Sequence, residues 1–274
     1  MATPTRPSLE ALLWLGAPAT RERKHRGPFA RVGSPSEGST SGTDSGTRAP
    51  ANKRVIAVDG GLKGLLESTG GGIFLPPDLA RNWLWVGDGD SLHARDPRTF
   101  FAPGALEGPT GIELRTLPLP VDKDVSDFGA ALDALTSEVE NAGIGSGGSV
   151  VVSVEGGLGG RRDHELCNLL EAADFLVGLS ALGLHGVVDF EGRVVCFSGG
   201  VKLWAPGGTT FSLCSLRGGP ELHLAGACYG GELVLGRGSR GLSNVVAGTI
   251  EGSLVARARA TDAVFVFVCA EEYP

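Results

Sequence analysis

Three apolar runs, "RVIAVDGG", "NWLWVGDGDS" and "GSVVVSVEGGLGG", each pass through β-branched or aromatic residues and break at an acid beside glycine. Runs this short and this continuous suit strands buried on both faces. Segments with helical periodicity lie between them. "GLKGLLES" follows the first run. "SDFGAALDALTSEVE" precedes the third and places Phe128, Leu132, Leu135 and Val139 on one helical face, with Ser126 available as N-cap. "DHELCNLLEAADFLVGL" follows it, with Leu166, Leu169, Leu170, Ala173 and Leu176 at helical spacing. Strands alternating with helices predict an α/β fold with a mainly parallel sheet covered on both faces.

The texture changes after about residue 186. "GVVDFEGRVVCFSGG", "TTFSLCSL", "ELHLAGACYGGELVLG", "VVAGTIEGSLVARA" and "AVFVFVCAEE" are short, rich in β-branched residues and broken by glycine-containing turns. This is the pattern of an antiparallel sandwich or barrel. The expected division is an α/β domain over residues 1–185 and an all-β sandwich domain over 186–274. Upstream, "LEALLWLG" reads as a strand of the first domain. The segment of about residues 20–52 is rich in Ser, Gly, Thr, Pro and Arg and reads as a flexible insertion. Its rival reading is a cleaved organelle-targeting peptide.

Charge narrows the partners. Residues 1–53 hold eight Lys/Arg against four Asp/Glu, and the remainder sixteen against twenty-seven. A body with net charge −11 lacks the basic face that nucleic acid requires, yet can hold a nucleotide through a metal. Five widely spaced cysteines in apolar surroundings, an odd number, suggest reduced core thiols and a cytoplasmic protein. No apolar run approaches the roughly 20 residues needed to span a bilayer.

In a sheet of this kind ligands bind outside the carboxyl ends of the strands. Asp59, Asp88, Asp90, Glu155 and the loop through Asp163 are expected at that edge. Asp88 and Asp90 sit two apart and repel one another unless a cation lies between them, so a hard-metal site competes with a plain Asp-Gly turn. "VDKDVSDF" brings Asp122, Asp124 and Asp127 around Lys123; Asp127 in the first helical turn also has a capping role. "EGGLGGRRDHELCN" lacks both the Gly-Lys-Ser/Thr of a nucleotide P-loop and the Rossmann glycine spacing. Its glycines, helix start and Arg161–Arg162 pair nevertheless suit a polyphosphate, as well as a simple strand-to-helix turn.

In order, "DGG" (59–61), "PD" (77–78), "GDGDS" (87–91), "DKDVSDF" (122–128) and "GGLGGRRDHELCNL" (156–169) resemble the thiamine pyrophosphokinase family, over most of residues 54 to 250. "TTFSLCSL", "LAGACYGGEL" and "GLSN" (241–244) are similar to that family's thiamine-side segments. The resemblance implies an α/β catalytic domain followed by a β-sandwich, in a homodimer with thiamine between domains of two subunits. It implies transfer of diphosphate from ATP to the thiamine hydroxyl, giving thiamine diphosphate and AMP. Carried over, Asp88, Asp90 and Asp127 would hold Mg²⁺ on the ATP phosphates, with Arg161 and Asp163 also in the catalytic set. Asp59, Gly60, Ser91, Asp124, Arg161 and His164 would contact ATP; Ser243, Asn244, Ser212 and Tyr229 would line the thiamine pocket. Tyr229 reads equally as a core aromatic, and His164 also as a capping or packing residue.

This chain departs from the family pattern at Leu62 and Lys63, where Ala-Asn is common, and at Gly89, where a bulky residue is usual. The stretch Leu92 to Thr116 aligns with no family segment and reads as a loop or lid. His25, His93, His185 and His223 fit no ligand spacing, so no zinc site is expected. Two alternatives stand beside the leading reading: a diphosphokinase acting on a hydroxymethyl pterin, and a catalytically silent nucleotide- or thiamine-binding module.

Overall fold

A computed structural model describes residues 8–15, 31–33, 52–68, 82–92, 96–101, 113–216, 219–236, 241–248, 252–258 and 262–269. In chain order these form β1 (Ser8–Leu15), β2 (Arg31–Gly33), β3 (Asn52–Val58), α1 (Gly61–Ser68), β4 (Asn82–Gly87), β5 (Glu113–Pro118), α2 (Asp127–Asn141), β6 (Ser149–Glu155) and α3 (Arg162–Ala181). Then follow β7 (His185–Phe190), β8 (Val194–Ser198), β9 (Gly200–Ala205), β10 (Thr210–Cys214), β11 (Glu221–Ala225), β12 (Gly231–Val234), β13 (Asn244–Val245), β14 (Gly252–Ala258) and β15 (Ala263–Cys269).

Ten strands make one sheet in the order β13-β10-β15-β8-β7-β6-β1-β3-β4-β5, and five make a second in the order β12-β11-β14-β9-β2. From β7 to β5 every pairing is parallel. From β7 to β13 every pairing is antiparallel. The strand read at "LEALLWLG" is thus β1, in the middle of the parallel half, with Leu13 opposite both Ile56 and Val154.

Side-chain alternation shows what covers each face. Val55, Ala57, Trp83 and Trp85 pack with Leu62 and Leu65 of α1, while Ile56, Val58, Leu84 and Val86 join the core under α2 and α3. Both faces of β3 and β4 are therefore dry, as their continuous apolar runs predict. In β7 and β8 the same alternation sends Val188, Phe190, Val194 and Cys196 towards the helices. Val187, Val195 and Phe197 face the second sheet, where they meet Leu203, Leu222, Leu224 and Leu254. The sandwich is built on the antiparallel half of the large sheet. The division expected at residue 185 falls on the first residue of β7, and the hydrogen-bonded sheet runs through it.

Four sequence expectations need adjustment. Leu166 and Leu170, expected on the buried face of α3, are 54% and 42% exposed. Asn168, Ala172, Ala173, Phe175, Leu176 and Leu179 face inward instead. The helix is apolar on more than one side, and Asn168 sets its rotation by donating a hydrogen bond to the Gly157 carbonyl at 3.0 Å. Cys196 is buried as expected, but Cys167 and Cys228 are exposed. The stretch Leu92 to Thr116 contains a short 3-10 turn at Pro97–Phe100, and its last residues belong to β5, paired in parallel with β4. Within the expected insertion, Arg31–Gly33 pairs with β9; residues 20–30 and 34–51, like the Pro77–Asp78 pair, lie outside the described residues.

Candidate active site at the parallel edge

β3 and β4 are adjacent and parallel, so their last residues deliver Asp59 and the Gly87–Ser91 turn to the same edge. Asp59 leaves β3 with φ 43°, a left-handed conformation that aspartate tolerates better than most residues. Three hydrogen bonds hold it there. Its N–H donates to the Val86 carbonyl at 2.7 Å, its carbonyl accepts from Trp85 Nε1 at 3.2 Å, and its Oδ1 accepts the Gly89 N–H at 3.0 Å. Gly87 makes this approach possible: a Cβ there would lie 2.9 Å from Asp59 Cα. Gly89, where a bulky residue was expected, is buried with φ 80° and supplies the N–H that fixes Asp59. Of the other departure, Leu62 is fully buried on the inner face of α1 and Lys63 is exposed.

Asp59, Asp88 and Asp90 each offer a carboxylate oxygen within 4.8 Å of the others. Asp88 Oδ1 accepts the Asp90 N–H at 3.1 Å, and Asp90 Oδ1 accepts from Ser91 Oγ at 3.0 Å. Asp127, at the start of α2, is joined to this group through a cation. Lys123 Nζ lies 2.7 Å from Asp88 Oδ2 and 3.2 Å from Asp127 Oδ1.

The electrostatics follow. The Lys123 hydrogen bond, then the Asp90 N–H, hold Asp88 below the ordinary carboxylate range. Burial raises Asp127, and Lys123 opposes this only in part, because the charges of Asp59 and Asp88 add to the rise. Burial alone would lower Lys123, but its bonds to Asp88 and Asp127 outweigh that and raise it. The donor set is all oxygen and carries several negative charges on one side of the sheet edge, which is the chemistry of a hard divalent cation. Asp127 Oδ1 is enclosed, with the Lys123 ammonium at 3.2 Å as its partner.

α2 is fixed at both ends. Glu138 accepts from Arg54 Nε of β3 at 2.6 Å and pairs with Arg115 of β5. At the N-terminus, Ser126 Oγ caps α2 by accepting the Gly129 N–H at 2.9 Å and donates to Glu171 Oε2 of α3 at 2.7 Å. Burial raises the Glu171 carboxyl above the usual range. Gly129 leaves room for this contact, since a Cβ there would sit 3.0 Å from Glu171 Oε1.

The glycine loop after β6 reaches α3 at Arg161. Its N–H groups are partly engaged: Gly156 donates to Glu191 Oε1 at 2.8 Å, and Gly159 donates to Glu165. Arg161 and Asp163 form a bidentate pair at 3.2 and 2.5 Å, both exposed, and the guanidinium pulls Asp163 down to about 2. His164 and Asp124 are exposed; Gly60 lies beside Ser91, 3.0 Å from its Cβ if a Cβ were added.

The second predicted group assembles at the far side of the large sheet. Ser243 donates its N–H to Ser212 Oγ at 3.1 Å. Asn244 is 3% exposed, and its amide is spent on backbone: Oδ1 accepts from Tyr229 N–H at 3.1 Å and Val245 N–H at 2.8 Å, while Nδ2 donates to the Tyr229 carbonyl at 2.7 Å. Asn244 thereby holds Tyr229, which is 71% exposed and borders an open depression of about 420 Å³ with Glu232, Leu235 and Leu242.

Sequence reasoning did not single out Glu171, Glu138 or the pairing role of Lys123. Lys123 carried a signal, a lone cation among three acids; Glu171 and Glu138 carried none, being ordinary acids on helices.

The fold and site define an α/β protein with an antiparallel sandwich on the same sheet and a carboxylate cluster at its parallel edge. Comparison with protein-family models and with curated proteins gives no match. Among solved structures, thiamine pyrophosphokinase from Bacillus subtilis superposes with TM-score 0.51 at 15% identity, over 96% of this chain and 99% of that one. The yeast enzyme gives 0.51 at 10% identity over 97% and 88%, and the Candida albicans enzyme 0.50 at 13% over 98% and 94%. The chain resembles the thiamine pyrophosphokinases in fold along nearly its whole length.

Proposed function

We propose that the chain is a thiamine pyrophosphokinase, a Mg²⁺-dependent enzyme that moves diphosphate from ATP to the hydroxyl of thiamine and releases AMP. The observation that carries this reading is the Asp59–Asp88–Asp90 cluster, set at the strand ends of a fold shared with enzymes of that name.

Asp88, Asp90 and Asp59 would hold the ion, with Asp127 reached through the Lys123 pair. When bound, Mg²⁺ supplies neutralisation of charge around the phosphorus under attack. Arg161 and the loop from Gly156 would orient the polyphosphate, with Asp163 fixing the guanidinium; Gly60, Ser91, Asp124 and His164 complete the nucleotide side. A carboxylate of the cluster takes the proton of the attacking alcohol. Ser212, Tyr229, Ser243 and Asn244 form the thiamine side.

Strand order supports the homodimer. β3 and β10 are six strand intervals apart in one sheet, roughly 30 Å at about 4.8 Å each. One chain's acid cluster is thereby distant from its own Tyr229 depression, so a second copy would bring the two together. Among the described residues no helix is long and apolar enough to cross a membrane; a cytoplasmic location is part of the proposal.

Asp90→Asn and Asp88→Asn test the assignment, since each removes a ligand charge at nearly constant shape. Both should lose most thiamine-dependent AMP formation while keeping the native circular dichroism. Near-normal turnover in either contradicts it.

A further inference from the structure

Lys123 stands out because it already occupies the cation's side of Asp88. Its side chain is 13% exposed, and its ammonium spans Asp88 and Asp127 at 2.7 and 3.2 Å. The Asp88 carboxylate is used on both oxygens, Oδ1 by the Asp90 N–H and Oδ2 by Lys123. Among the described residues, Lys123 links Asp88 of the metal cluster to Asp127 at the start of α2. A divalent ion that takes Asp88 Oδ2 or Asp127 Oδ1 therefore competes with the Lys123 ammonium for that oxygen.

We propose that Lys123 is a tethered counter-ion which disfavours free divalent metal and favours metal already carrying a polyphosphate. This rests on the metal-nucleotide reading of the site. Bare metal gains Asp88 but leaves a largely enclosed ammonium next to a dication, an unfavourable like-charge contact. Metal bound to a polyphosphate brings anionic oxygens to the same edge, so the ammonium exchanges one anionic partner for another. Lys123 thus makes the two ligands arrive together and keeps the unliganded carboxylates from repelling one another. It is a positioning residue, and its effect has opposite signs for the two ligands.

The test compares the wild-type chain with Lys123→Met and Lys123→Arg, using Mn²⁺ alone, followed by the paramagnetic signal of free Mn²⁺, and then Mn²⁺ with ATP. Loss of the ammonium should tighten Mn²⁺ alone by about tenfold or more and weaken Mn²⁺·ATP by a similar factor, with Lys123→Arg near wild type for Mn²⁺ alone. Unchanged or weaker binding of Mn²⁺ alone in natively folded Lys123→Met overturns the proposal. If that variant does not fold, the wild-type Lys123 ammonium resonance serves: it should shift as saturating Mg²⁺ is added, and a fixed resonance overturns the proposal equally. Neither readout requires thiamine turnover. An inactive protein with the Mn²⁺ effect would defeat the enzyme reading alone, and an active one without it would defeat this inference alone.

Discussion

Ser126 and Glu171 share a 2.7 Å hydrogen bond that ties the N-cap of α2 to the middle of α3. The serine both accepts the capping N–H of Gly129 and donates to the carboxylate, so the turn carrying Lys123 and Asp127 is set by a residue on another helix. Ser126→Ala should cost roughly 0.5–2 kcal/mol of stability, the range for a lost N-cap.

Glu171 also gives a pH dependence. Burial raises its folded-state carboxyl, so the folded chain binds the proton more tightly than the unfolded one. Stability from this group is then present at low pH and falls as pH rises from the ordinary carboxylate range through the raised value. Glu171→Gln should remove that decline, seen as a flatter profile of melting temperature above about pH 4.3. A wild-type profile that rises there because of Glu171 would contradict the assignment.

Gly87 sets the distance between Asp59 and the second acidic turn. Gly87→Ala places a methyl against Asp59 backbone and side chain at 2.9 Å. The expected cost is about 1–3 kcal/mol, with weaker Mn²⁺ binding in the fraction that folds. Denaturant unfolding and Mn²⁺ titration of the same sample check both parts.

The Arg161–Asp163 pair is exposed, so it adds little to stability, but it leaves a clear titration. Its depressed Asp163 should protonate with a midpoint at about 2, and any stability it gives is present above the unfolded value and lost as pH falls through that midpoint. In Arg161→Met the carboxyl midpoint should return to about 3.9 by NMR. An ordinary midpoint in the wild type would show that the pair does not persist in solution.

The thiols divide by exposure. Cys167 and Cys228 should react with a thiol reagent in the native protein, while Cys196, buried and with its pKa pushed well up by that burial, should react only on unfolding. Mass spectrometry of labelled peptides separates them; rapid labelling of Cys196 would mean that the core under α3 opens readily.

Much of this architecture is legible in the sequence, because the cue is periodicity. The continuous apolar run at 55–58 has both faces buried, and Phe128, Leu132, Leu135 and Val139 all face inward behind the Ser126 cap, whereas in the run at 149–154 only Val150, Val152 and Val154 are buried and the alternate residues are half-buried. Local composition could not reveal that the sandwich and the α/β layer share β7, because a strand that is parallel to one neighbour and antiparallel to the other has no separate signature. The rotation of α3 is hidden for a similar reason: Leu166 and Leu170 fit the same period as the buried residues, whereas the buried face includes Asn168, whose partner is the Gly157 carbonyl. In the candidate site, aspartates next to strand ends could be picked out. The long-range partners could not, since Lys123 with Asp88 and Ser126 with Glu171 are 35 and 45 residues apart.

The most direct measurement is the identity of the products after incubating the chain with ATP, Mg²⁺ and thiamine, resolved by chromatography and mass spectrometry, with a hydroxymethyl pterin in a parallel reaction. Thiamine diphosphate and AMP in equal amounts, with no reaction of the pterin, is the result predicted. ATP binding without thiamine diphosphate, or diphosphate transferred to the pterin instead, would contradict the account.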